Sequence, residues 1–256
     1  MNDLTDVAMI CADTTRSRAY LQNLGRAGLR PAQILVMERA GSNLPGQSLR
    51  AIADAPDHAD RDPLWRQGHF DPNTALAEDI AALGVPTRTL ASTDINDAGT
   101  VAAIAELDAR TLIYSGFGGQ ILRAPVLATG KQFLHVHGGY LPDFRGSTTN
   151  YYSMIADDTL GASAIFLTAQ IDAGPILLRR RFPAPPDRTR IDHLHDAAAR
   201  AICLCDVLRD FADSGVWPSG TPAGEQMPES YPEAYYVIHP VLKHLAIYHT
   251  ARSEVE

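Results

Sequence analysis

The chain has 256 residues, 45% of them apolar and 20% charged. That is the balance of a soluble globule, built as one large domain or as a domain with an extension. Its formal charge of -8 argues against broad binding to a phosphate backbone, which needs a basic surface, so no nucleic-acid partner is expected. Residues 1–6 hold no basic region, and no run is long enough to span a bilayer, so neither a signal peptide nor a membrane partner is expected. Cys11, Cys203 and Cys205 suit neither a disulfide framework nor a zinc knuckle and read as free thiols in a reducing compartment, the cytoplasm.

In chain order, residues 7–12 read as a buried strand. Asp13, Thr14 and Thr15 offer caps for a helix over 15–27 that Gly28 ends, and 34–37 is a second strand. Strand–helix–strand at this spacing is a parallel, right-handed unit. Its first turn lacks Gly-x-Gly-x-x-Gly and so carries no dinucleotide fingerprint. Arg16 and Arg18 at the helix start could meet an anion but read as surface residues. Residues 39–74 are irregular, and Trp65, His69 and Phe70 there fit a pocket or lid as well as a locally packed loop. A helix over 74–83, a strand over 87–90, a helix over 98–107 capped by Asp94 or Asn96, and a strand over 111–114 follow. The last runs into Ser115-Gly116-Phe117-Gly118-Gly119, where glycines permit close backbone approach. Residues 120–128 read as a short helix.

The central stretch is 132–149. It starts as an apolar strand and stops at Gly138-Gly139. His135 and His137 are two apart, so on a strand they share a face. A helix over 150–157 and strands over 162–167 and 175–182, antiparallel at the sheet edge, come next. Between those strands Asp172 sits at a tight turn in Ile171-Asp-Ala-Gly-Pro-Ile-Leu177. Asp187, Thr189 and Asp192 offer caps for a helix over 191–213, in which His193 and His195 diverge and read as surface residues. Arg179-Arg180-Arg181, the one dense basic run, reads as a solvated strand end. Residues 215–256 read as an extension packed on the core or as a dimer contact, which makes a homodimer one expectation.

His137-x-x-x-Leu141-Pro142-x-x-Arg145-Gly146, followed by Ile171-Asp-x-Gly-Pro-Ile-Leu177, resembles the folate-dependent formyltransferases over roughly residues 85–215. That family includes the methionyl-tRNA, glycinamide-ribonucleotide and sugar N-formyltransferases and the hydrolase that deformylates formyltetrahydrofolate. Its usual motif is Asn-x-His-Pro-Ser-Leu-Leu-Pro. Here His135 stands in the place of the Asn, and Gly138-Gly139 in the place of Pro-Ser.

The resemblance implies an α/β, Rossmann-like core with a mostly parallel sheet and helices on both faces. Residues 1–214 would be the catalytic domain and 215–256 a short extension with no separate β-barrel. It implies transfer of a formyl group from 10-formyltetrahydrofolate, with no metal. Acyl transfer through a tetrahedral oxyanion needs an oxyanion donor, a base for the attacking amine and an acid for the leaving nitrogen. By resemblance His137 is the catalytic histidine, Asp172 pairs with it, and His135 donates to the formyl oxygen, in a pH-dependent way if it titrates. Ser115, Gly116, Phe117, Gly118, Gly139 and Leu141 would hold the folate, and Tyr140 and Arg145 the acceptor. Asp143 reads as pairing with Arg145 on the surface.

The absent β-barrel and acidic balance disfavour tRNA, and the absent phosphate loop disfavours a nucleotide. That leaves a small-molecule amine such as an amino acid or amino sugar. The alternatives are a deformylase, a metal-dependent hydrolase using His135, His137 and Asp172 as ligands, and a catalytically degenerate folate-binding module.

Overall fold

The computed structural model describes residues 2–37, 61–222 and 234–248. Most of the irregular region expected over 39–74 therefore lies outside the described residues. The elements are β1 (Asn2–Leu4), β2 (Val7–Ala12), α1 (Thr15–Ala27), β3 (Leu29–Pro31), β4 (Ile34–Met37), α2 (Pro63–Gly68), α3 (Leu76–Leu83) and β5 (Thr87–Leu90). Then come α4 (Ala98–Ala105), β6 (Thr111–Ser115), α5 (Ala124–Leu127), β7 (Gln132–His137), α6 (Thr149–Asp157), β8 (Thr159–Phe166) and β9 (Pro175–Pro183). A π-helical turn (Ile191–His195) leads into α7 (Asp196–Ser214), β10 (Thr221–Pro222) and α8 (Pro240–Tyr248).

One sheet runs β10-β9-β8-β7-β6-β2-β4-β5. From β5 to β7 all pairs are parallel, and β8, β9 and β10 add antiparallel at the other edge. This is the Rossmann-like α/β sheet expected. All six residues of β2 are buried because both sheet faces are covered. Val7, Met9 and Cys11 enter one core cluster with Leu24 and Leu204, from α1 and α7. Ala8, Ile10 and Ala12 enter the other, with Ile104 and Val126 from α4 and α5. β1 and β3 form a separate parallel ribbon that the sequence reading did not foresee.

Caps explain the helix limits. Thr14 is the residue that caps α1, its hydroxyl accepting from the N–H of Ser17, and Gly28 closes it at φ 67, a left-handed position that favours glycine. Asp97, not Asp94 or Asn96, caps α4. Only 124–127 of the expected 120–128 is helical. The Gln120 side chain is used to tie its loop to Thr93 and Ile95 instead.

His195 corrects the reading of a surface residue. It is fully buried, with Nε2 3.0 Å from Asp62 Oδ2 and its ring edge-on to Trp65. The wide π turn rotates the helix phase enough to bring it inward. Trp65 and Phe70 pack on each other in the core, whereas His69 is exposed, so this part is locally packed. Residues 234–248 pack on the core: Tyr235 stacks between Phe144 and Tyr152, and Lys243 pairs with Asp192. Among the described residues no helix is long and apolar enough to cross a membrane.

Asp62 serves two ends at once. Oδ1 caps α2 through the N–H groups of Leu64 and Trp65, while Oδ2 meets His195. Burial pushes its carboxyl up, but His195 and the two N–H groups outweigh this and hold it below the usual range. Asp62→Ala removes the cap and strands a buried imidazole, so a loss of about 3 kcal/mol is expected in urea unfolding. A loss under about 0.5 kcal/mol, the ordinary surface range, would refute this account.

Candidate active site

The C-terminal ends of β2, β6 and β7 open on a cavity of about 330 Å³. It lies at the switch point where the chain crosses from one side of β2 to the other, the usual ligand position in such sheets. Arg16, Tyr114, Phe117, Gly118, His135, His137, Asp172, Asp196 and Arg200 are among its walls. A smaller chamber of about 120 Å³ adjoins it, lined by Ile121, Leu122, Leu167 and residues 168–171. Tyr114, Gln120, His135 and Asp172 line both spaces.

His137 ends β7 and is buried. Its Nε2 lies 2.8 Å from the carbonyl oxygen of Phe144, which only accepts, so Nε2 carries the hydrogen. Nδ1 then faces Asp172 Oδ2 at 3.4 Å. Asp172 is itself buried and sits at φ 48, a left-handed position uncommon outside glycine. The N–H of Gly146 donates to the same Oδ2 at 3.3 Å. The arrangement can hold or pass a proton between an imidazole and a carboxylate with little water present.

His135 is held neutral. Burial lowers its pKa well below 6.5, and the positive charges of Arg16 and Arg200 push the same way. Its Nδ1 is buried without a hydrogen-bond partner among the described residues. The pH-dependent donor expected from the sequence is thereby corrected: a neutral ring keeps one N–H and one lone pair throughout the physiological range.

Two arginines line the cavity. Arg200 donates from Nη1 to the Val136 carbonyl at 3.0 Å, and its Nε lies 2.9 Å from Asp196 Oδ2. Asn150 donates to the other Asp196 oxygen at 2.8 Å and accepts from the N–H of Gly161 at 2.9 Å. Arg16 donates from Nε to Ser115 Oγ at 3.2 Å and from Nη2 to the Gly116 carbonyl. Arg16 is thus a cavity wall rather than a surface residue. Arg18 is also buried, bound to Asp13 and the Thr74 carbonyl.

The structure brings His135, His137, Asp172, Phe117 and Gly118 to one place and leaves other expected residues elsewhere. Ser115 and Gly116 stand behind Arg16 and anchor it. Leu141 is a fully buried core residue beside Ile165 and Ile176. The Tyr140 ring lies under the guanidinium groups of Arg179 and Arg181, 4.8 and 4.3 Å from its centroid. Arg145 donates to the Ile171 carbonyl, which fastens the Asp172 turn. Asp143 pairs with Arg181 at 3.0 Å, not with Arg145. Tyr140 and Asp143 thus turn toward the arginines of β9, which local sequence does not specify.

Gly138 and Gly139 have steric reasons. A Cβ on Gly138 would stand 2.4 Å from both Asp196 Oδ1 and Arg200 Nη2, and one on Gly139 would stand 2.6 Å from His137 Nε2. Asp196 and Arg200 escaped sequence reading because an acid and a base four apart on a helix look like a surface pair. Among the described residues no group of three His, Cys, Asp or Glu side chains is placed to hold a metal ion, so the metal-ligand reading of His135, His137 and Asp172 is corrected.

Residues 66–201, more than half of the chain, match the family model described as Formyl transferase. The methionyl-tRNA formyltransferase of Rhodopirellula baltica is 32% identical over 148 residues, covering 54% of this chain and 43% of that protein. That of Herpetosiphon aurantiacus is 34% identical over 168 residues, covering 64% and 50%. The chain spans about half the length of the curated relatives it matches. Among solved structures, glycinamide ribonucleotide transformylase 1 from Symbiobacterium toebii superposes with TM-score 0.53 at 18% identity, covering 83% of this chain and 88% of that one. A sugar N-formyltransferase from a Shewanella species gives TM-score 0.51 at 15% identity, covering 94% and 86%. Both show the same fold. The relatives named for methionyl-tRNA overturn the expectation of a small-molecule partner and no nucleic acid. Net charge averages the whole surface, whereas this cavity presents two guanidinium groups.

Two measurements check the site. Gly138→Ala should cost about 1–3 kcal/mol by displacing the Arg200–Asp196 pair, while Gly118→Ala, with open space around it, should stay within about 0.5 kcal/mol. Equal effects in thermal unfolding would refute the steric reading. For His135, the folded pKa lies below the unfolded one, so the unfolded chain binds more protons under about pH 6.5 and stability falls as pH falls. The wild type should therefore lose stability from about pH 7 to about pH 5 more steeply than His135→Asn, by up to about 1.4 kcal/mol per pH unit. Identical acid limbs would show that His135 titrates normally.

Proposed function

Because this chain belongs to the formyl transferase family, we propose that it moves a formyl group from 10-formyltetrahydrofolate to a primary amine. The observation that carries the reading is the His137–Asp172 contact, with His137 lining the larger space and Asp172 lining both. A two-substrate reaction needs that plan: one space for each substrate, with the proton-handling pair between them.

The smaller chamber, with Ile121, Leu122 and Leu167 around a narrow volume, suits the flat ring of the folate. The larger cavity takes the acceptor. His135, neutral and at the junction, offers its N–H to the formyl oxygen as negative charge develops there. His137 is oriented by Phe144, so its Nδ1 and the Asp172 carboxylate carry the proton from the attacking amine toward the leaving nitrogen. Residues 1–214 carry these groups, and of the extension beyond them Tyr235 and Tyr236 meet the 144–152 segment. Three buried free thiols favour a reducing compartment such as the cytoplasm.

The test is incubation of the purified chain with 10-formyltetrahydrofolate alone, with methionyl-tRNA, and with a panel of other primary amines. Methionyl-tRNA comes first because the relatives are named for it. Amine-dependent release of tetrahydrofolate supports the proposal. Release without any amine overturns it and makes water the acceptor. His137→Ala and Asp172→Asn should each lower transfer by about a hundredfold or more with folding intact. Near-full activity in either would remove the assigned roles.

A further inference from the structure

The loop from Phe144 to Thr149 holds both halves of the proton-handling pair. The Phe144 carbonyl takes the hydrogen of His137 Nε2 at 2.8 Å, and the Gly146 N–H donates to Asp172 Oδ2 at 3.3 Å. Gly146, Ser147, Thr148 and Thr149 also line the larger cavity. The groups that clasp this loop come from far along the chain, from residues 235–238. The Tyr235 N–H donates to the Arg145 carbonyl at 2.7 Å, and the Ser147 N–H donates to the Tyr235 carbonyl at 2.8 Å. These two bonds close a parallel bridge around Gly146. Gly146 sits at φ 106, and a Cβ there would stand 2.4 Å from the Tyr235 carbonyl oxygen, so the approach needs glycine. The Tyr235 ring stacks on Phe144 and packs against Tyr152, with centroids 5.9 and 4.5 Å apart. The Ile238 N–H donates to Thr148 Oγ1 at 2.9 Å, and the Tyr152 hydroxyl donates to the Tyr236 carbonyl at 3.1 Å.

Two features set this contact apart from ordinary surface packing. Thr148 adopts φ 51, a left-handed conformation unfavourable for a β-branched residue, which persists only where the surroundings impose it. The Ile238 N–H is one of the groups that hold it there. The side chains of Tyr236 and Val237 are exposed, so the middle of the segment buries little apolar surface. Its backbone, the Tyr235 ring and Ile238 fix it instead, and most of those contacts fall on the loop that frames the site.

We propose that residues 235–238 are a strap that sets the reacting geometry, with Tyr235 as a positioning residue. Its ring holds Phe144, and through the Phe144 carbonyl it sets the tautomer and plane of His137. Its backbone holds Gly146, and through the Gly146 N–H it sets Asp172. The inference deepens the proposed function and rests on it for the roles of His137 and Asp172. Tyr235 touches neither of them, so its effect on the rate passes through the loop.

The experiment compares the full wild-type chain with Tyr235→Ala, Tyr235→Phe and Val237→Ser. It follows the ring nitrogen NMR signals of His137 and, with 10-formyltetrahydrofolate and methionyl-tRNA, the release of tetrahydrofolate. Tyr235→Ala should lower kcat about ten- to a hundredfold, the cost of a small misplacement of reacting groups. KM for 10-formyltetrahydrofolate should stay within about threefold, because among the described residues none of 144–149 lines the smaller chamber. The His137 ring, protonated at Nε2 in the wild type, should move toward a mixture of tautomers. Tyr235→Phe keeps the ring and should restore both readouts, and Val237→Ser should match the wild type. Tyr235→Leu keeps apolar bulk without the ring and is read instead if Tyr235→Ala does not fold. Unchanged His137 signals in the Ala or Leu variant overturn the inference, as does an equal fall in kcat for Val237→Ser. A shifted His137 tautomer in variants of a chain that releases no tetrahydrofolate keeps the strap and sinks the proposed function instead.

Discussion

The site depends on how one imidazole is held. His137 lies between a carbonyl that only accepts and a carboxylate, so its tautomer, its ring plane and the direction of its free nitrogen are all set by neighbours. Phe144, Asp172 and the Gly138-Gly139 turn each serve that arrangement. The carbonyl takes the Nε2 hydrogen, and the Asp172 turn is fastened by Gly146 and Arg145. The absent Cβ atoms leave space for the ring and for the Arg200–Asp196 pair.

Sheet topology explains why these pieces meet. β7 is the last strand parallel to its neighbour on one side and the first with an antiparallel neighbour on the other. The parallel side supplies the open strand ends of β2 and β6, with Arg16 and the Ser115-Gly116 turn. The antiparallel side supplies the loop between β8 and β9, which folds over the face of β7 that carries His135 and His137. Two adjoining spaces thus arise at one strand end.

Electrostatics divide the labour within an acidic chain. Most cavity charges are matched in place, which limits the desolvation cost of gathering them. His135 is kept neutral by burial and by two nearby guanidinium groups. Among the described residues Arg16 makes no ion pair and is held by Ser115 and the Gly116 carbonyl.

What the sequence determined by itself is what period and local chemistry determine. Alternating and continuous apolar runs located the parallel strands, Gly28 marked a helix end, and the two-residue spacing put His135 and His137 on one face. The Leu-Pro and Asp-x-Gly-Pro motifs carried the family and singled out Asp172. What only the tertiary structure decided are pairings between segments far apart in the chain. His195 turned inward because a π turn shifted its helix and Asp62 awaited it. Tyr140 and Asp143 went to the arginines of β9 rather than to a ligand or to Arg145. Leu141 went to the core, and Arg16 and Arg200 went to the cavity. A side chain's neighbours across the fold are set by strand order and register, and those are properties of the packed whole that no local window of residues contains.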